Sequence, residues 1–174
     1  MRCCNMKKKS INKITLVGML AALTVALSFL ESLLPPLFML PPGFKIGISN
    51  IAVMFALLYS GLWAGVVLSV IKSIFILIVN GGYAFVLSFV GSIGAVIVMS
   101  TLIWLFKEKI SYGALSVSGA VTHNMMQLIC VYLITASASI FYYAPVLIIA
   151  AVICGVGVAS AVKLTMPIVL KFVK

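Results

Sequence analysis

The chain is a succession of apolar runs, most of them about as long as a lipid bilayer is thick. The hydrocarbon core needs roughly 20 apolar residues in helical form. Ile14 to Leu34 is such a run, and Pro35-Pro36 stops it, because proline lacks the N–H a helix requires. Ile46 to Tyr59 is a second, shorter run, closed by a Ser60-Gly61 turn. Leu62 to Val79 is the third, ended by the turn signal Asn80-Gly81-Gly82. Tyr83 to Phe106 is the fourth, closed by Lys107-Glu108-Lys109. Ala114 to Ala136 is the fifth and Tyr143 to Leu170 the sixth, with Pro145 and Pro167 near its two ends. Only 8% of the 174 residues are charged and 64% are hydrophobic, whereas a soluble domain carries roughly 25% charge to cover its core. The sequence therefore predicts an all-α integral membrane protein of about six transmembrane helices. Residues 14–170 form its single domain, between a basic tail at 1–13 and a short tail at 171–174. The N-terminus is basic and then apolar, like a signal peptide. It lacks a small-residue cleavage site, however, and reads as a first helix that stays.

The net charge of +10 could point to nucleic acid, but its placement points to a membrane. Arg2, Lys7, Lys8, Lys9 and Lys13 crowd the first segment, Lys107 and Lys109 share one loop, and Lys163, Lys171 and Lys174 gather at the end. With the N-terminus in the cytoplasm, these ten of the twelve basic residues fall on one side. The opposite loops, Leu37 to Phe44, Asn80 to Gly82 and Ser137 to Tyr142, carry no lysine. That is the positive-inside pattern, and it predicts both ends inside a bacterial cytoplasmic membrane. Cys3, Cys4, Cys130 and Cys154 have no metal-ligand spacing.

Lys45 and Lys72 depart from the pattern. An ionisable side chain at the bilayer centre costs about 2.5–3.5 kcal/mol and marks a candidate site. Lys72 lies mid-span in the third run. His123 lies mid-span in the fifth, next to Asn124 and four residues from Gln127, which shares its helix face. Glu31 sits in the outer turn of the first run, Lys45 and Asn50 open the second, and Asn80 ends the third. Together these residues predict a polar pocket reached from outside. Its cations and histidine suit an anionic group such as a carboxylate or phosphate. The bland alternative is hydrogen-bond glue between helices. Small residues also recur every four positions, at Gly18, Ala22 and Ala26 and at Ala151, Gly155 and Ala159, a pattern that serves internal packing or docking on another membrane protein.

Catalytic signatures are missing. The chain has no aspartate and two glutamates, so it cannot build the aspartate-rich magnesium site of a prenyl-chain synthase. It has no phosphate-binding Gly-x-x-x-x-Gly-Lys-Ser/Thr loop. One histidine with so few acids makes neither a triad nor a zinc site. The expectation is a non-enzyme with no cofactor and no metal.

Two blocks carry a family resemblance. Ala21-Ala22-Leu23 through Glu31-Ser32-Leu33-Leu34-Pro35-Pro36, followed by Pro42-Gly43-Phe44-Lys45-Ile46-Gly47-Ile48-Ser49-Asn50, resembles the Gx transporter family. Gly119-Ala120-Val121-Thr122-His123-Asn124-Met125-Met126-Gln127-Leu128 resembles its second signature. Members of that family are often labelled heptaprenyl diphosphate synthase component I. They are also similar to the substrate-binding S components of energy-coupling factor (ECF) transporters, six-helix proteins that capture micronutrients. The resemblance implies an S-component-like bundle that docks through Gly18, Ala22 and Ala26 on a coupling subunit driven by ATPases. It implies pocket residues Glu31, Lys45, Asn50, Lys72, His123, Asn124 and Gln127. The expected function is capture of a small anionic ligand from outside. The alternative is a non-catalytic membrane subunit that serves a soluble prenyl diphosphate synthase in heptaprenyl or menaquinone side-chain synthesis.

Overall fold

A computed structural model describes the backbone of residues 10–33, 47–107 and 110–173, and the side chains of 14–33, 47–107 and 110–164. Lys45, the Leu37 to Phe44 segment, Lys109 and the basic residues from Arg2 to Lys9 lie outside the described residues. All regular structure within them is helical: α1 (Ser10–Leu33), α2 (Asn50–Ser60), α3 (Leu62–Phe106), α4 (Tyr112–Thr135), a 3₁₀ segment (Ala138–Tyr143) and α5 (Ala144–Val173). Among the described residues, four stretches are long and apolar enough to cross a membrane: Ile14–Leu33, Leu62–Phe106, Tyr112–Thr135 and Ala138–Leu164. α2 is apolar but shorter, at 11 residues.

The difference between four such stretches and the expected six lies partly in α3. At 45 residues a straight helix would run about 68 Å, twice the thickness of a bilayer core. α3 is not straight. Gly81 sits at φ 83°, ψ 179° inside it, and a Cβ placed on Gly65 would lie 3.4 Å from Cγ1 of Val96. Along an unbroken helix, residues 65 and 96 would be about 46 Å apart. The chain doubles back at Gly81, and its two limbs pack antiparallel, with Ala64, Leu68 and Val96 in one apolar cluster. The predicted three-residue turn has contracted to a break at one glycine. Gly61, between α2 and α3, adopts nearly the same conformation, φ 87°, ψ −173°, in a region of the map open essentially to glycine alone.

The ends of α4 follow local chemistry. The Ser111 hydroxyl caps its start by accepting from the Ala114 N–H at 3.1 Å. Ala136, left-handed at φ 50°, ends it and donates to the Tyr132 carbonyl. One core cluster joins Met54 and Phe55 of α2 to Met99, Leu115 and Val158. Another joins Leu87, Leu128, Val131 and Leu147. Many large apolar side chains face outward, including Ile78, Leu133 and Ile153, as a bilayer solvent allows. Trp63 and Trp104 are both largely exposed near the Gly61 and Lys107 end of the α3 limbs, the position of an interfacial aromatic anchor.

The two small-residue ladders part company. Ala151 is fully buried and a Cβ on Gly155 would lie 2.7 Å from the Val117 Cα. That ladder lets α5 close on the α4 backbone. Gly18, Ala22 and Ala26 of α1 are exposed, and a Cβ on Gly18 would meet nothing within 4 Å.

Candidate functional site

Four helices bring a polar cluster into the apolar core. Glu31 near the end of α1 is 2% exposed, and Lys72 in the first limb of α3 is fully buried. Asn50 opens α2 and is buried, as are Ser49 just before it and His123, Asn124 and Gln127 of α4. No group of three or more metal-ligating acids, histidines or cysteines occurs among the described residues.

Two hydrogen bonds tie the first three helices together. The Ser49 hydroxyl donates to Glu31 Oε2 at 2.6 Å, and Lys72 Nζ donates to Asn50 Oδ1 at 3.2 Å. Ser49 and Asn50 are adjacent, so one turn of chain holds the acid of α1 and the amine of α3. This turn depends on Gly47. Its carbonyl accepts from the Asn50 N–H at 3.0 Å, its φ is +93°, and a Cβ there would lie 3.0 Å from Asn50 Nδ2. That φ favours glycine.

The α4 residues follow helix geometry. Gln127 Nε2 lies 3.0 Å from His123 Nε2, and an amide nitrogen can only donate, so the ring nitrogen accepts. Asn124 points another way and donates to the Leu147 carbonyl of α5 at 3.0 Å. His123 fits against the second limb of α3 because residue 91 is glycine: a Cβ there would lie 2.8 Å from His123 Nδ1 and 3.0 Å from its carbonyl oxygen. Gly47 approaches the other edge of the ring, 3.7 Å from Cδ2 to its would-be Cβ.

Several buried atoms lack a hydrogen-bond partner among the described residues: Glu31 Oε1, Asn50 Nδ2, Asn124 Oδ1 and the hydroxyls of Ser28, Ser88 and Ser92. Each such group costs about 1–3 kcal/mol unless something fills the vacant bond. The adjoining cavity, lined by Gly47, Asn50, Met54, Met99, Ser116, Gly119, Ala120 and Val158, measures ≈ 10 Å³, about the room for one water.

Of the residues singled out in the sequence, Glu31, Asn50, Lys72, His123, Asn124 and Gln127 are buried. Asn80 is not: it is exposed beside the Gly81 break. Sequence reasoning passed over Ser49, Gly47 and Gly91. The first two stand inside the Gly47-Ile48-Ser49-Asn50 block, but nothing in the sequence pairs Gly91 with His123.

No curated protein and no solved structure matches the chain. A family model described as heptaprenyl diphosphate synthase component I matches residues 20–165. That span contains the described polar cluster and most of the helical bundle, so the chain belongs to the heptaprenyl diphosphate synthase component I family.

Proposed function

We propose that this protein is a membrane-embedded ligand-capturing subunit, S-component-like, which binds a small polar ligand from outside and relies on partner subunits for energy. The observation that carries the reading is the polar cluster itself. A lysine and a glutamate at 0% and 2% exposure, with buried donors and acceptors left open beside them, are costly in an apolar core and are explained by a ligand that completes them. Lys72 would take the ligand's anionic or acceptor group, and His123 and Gln127 would line its other side. The doubled α3, with α1, α2, α4 and α5, supports about six spans with both ends in the cytoplasm. The exposed Gly18, Ala22 and Ala26 face would meet a coupling subunit. Catalysis is not assigned to this chain, which lacks aspartate.

The family description favours a second reading. A "component I" implies a companion component, and this chain would then be the membrane subunit of a soluble prenyl diphosphate synthase. Native mass spectrometry of the protein purified in mild detergent from its own host separates the two. A bound small molecule together with ATP-binding and coupling subunits is the expected result. A soluble synthase in their place, with an empty site, would replace capture by the second reading.

A further inference from the structure

The open hydrogen-bonding positions in the cluster are of both kinds. Glu31 spends Oε2 on Ser49 and leaves Oε1 as a buried acceptor. Asn50 spends Oδ1 on Lys72 and leaves Nδ2 as a buried donor. The Lys72 ammonium carries three N–H groups, of which the Asn50 bond uses one. The charges also cancel, one Lys72 against one Glu31. A simple anion would satisfy Asn50 and Lys72, yet it would face the Glu31 carboxylate in a setting that screens poorly. A simple cation would meet the opposite conflict.

We infer that the ligand is amphoteric: a small molecule carrying both an acceptor oxygen, such as a carboxylate or carbonyl, for Asn50 and Lys72, and an N–H donor for Glu31. Amino acids and their homologues belong to this class; inorganic phosphate and dicarboxylates do not. The inference rests on the capture reading and narrows its small polar ligand to a molecule of balanced polarity. The neighbouring cavity is walled by Met54 and Met99, whose flexible side chains can yield room for the ligand's carbon frame. The cavity measures ≈ 10 Å³, so binding there requires these side chains to move.

Thermal unfolding of the full chain in detergent tests the inference with three probes: β-alanine as the amphoteric molecule, and succinate and inorganic phosphate as anions. A ligand that binds only the folded state raises Tm. The expected result is a rise with β-alanine and none with succinate or phosphate. Glu31→Gln should weaken the β-alanine response by about 10- to 100-fold in apparent affinity, the range for one hydrogen bond to a charged group. A rise with succinate or phosphate and none with β-alanine would overturn the amphoteric class while leaving capture intact. A response to none of the three would also overturn the class. If, in addition, the Glu31→Leu, Lys72→Met double variant is as stable as the wild type and native mass spectrometry finds no bound molecule, capture falls with it, and the cluster is a structural polar pair that an apolar pair can replace.

Discussion

At the scale of single residues, the fold spends its buried polarity on few positions and supports each with a neighbour. Lys72 is held by Asn50, Glu31 by Ser49 and His123 by Gln127. Lys72→Ala is expected to abolish ligand binding while the protein remains inserted and monodisperse. Removing the lysine relieves an insertion cost of about 2.5–3.5 kcal/mol but leaves the Asn50 amide oxygen without its donor, so insertion and monodispersity are measured beside binding; unchanged affinity would rule out its role. Gly91→Ala tests the packing behind His123. The added methyl would meet the ring at 2.8 Å and the carbonyl oxygen at 3.0 Å, and such overpacking typically costs about 1–3 kcal/mol. A lower Tm together with weaker ligand binding is expected, because the ring must shift. The sequence made His123 and Gln127 legible as a pair, since four residues are one helical turn. It could not reveal Gly91, whose significance is the approach of a helix distant in sequence. Asn80 shows the same limit: its polarity is visible in the sequence, but its exposure beside the Gly81 break is a tertiary fact.

At the scale of elements, hydropathy and turn signals placed most helix ends to within a few residues, and the structure supplied the joints. Gly61 and Gly81 both turn the chain with φ above +80° and ψ near 180°, which a side chain tolerates badly. Gly81→Ala is expected to cost about 1–3 kcal/mol, the usual strain of that region, although a Cβ there would touch nothing. Equilibrium unfolding in mixed micelles measures it. An unchanged stability would mean that the two limbs of α3 do not need this conformation to fold back. The two small-residue ladders look alike in sequence because spacing alone does not say which face a helix buries. Only packing distinguishes Gly155, closed on Val117, from Gly18, whose would-be Cβ meets nothing within 4 Å.

At the scale of the whole molecule, the membrane sets the requirements. Basic residues flank the apolar runs, and aromatic side chains mark one end of the α3 limbs. The topology is checked by cysteine labelling in a background lacking the four native cysteines. Asn80→Cys is expected to react with a membrane-impermeant maleimide in intact cells, and Lys107→Cys only after the membrane is opened. The reverse pattern would invert the orientation and put the polar cluster on the cytoplasmic approach. The helical class was legible from the scarcity of charge. The path of the 45-residue α3 was not, because a polar tripeptide can mark either a loop or a single break.

The partners in the polar cluster also follow an order in the chain. Glu31, Ser49 and Asn50 all precede Lys72, while Gln127 follows His123 by one turn. During synthesis from the N-terminus, the lysine thus arrives at the membrane when its amide acceptor and the acid that offsets its charge have already been made. The histidine needs only its own helix to find a donor. Glu31 must wait for Ser49, and Asn124 for α5 and the Leu147 carbonyl. A nascent chain built in this sequence can lower the lysine and the histidine into lipid with their partners at hand, so biogenesis need not expose an unaccompanied cation to the bilayer while the rest of the protein is still on the ribosome.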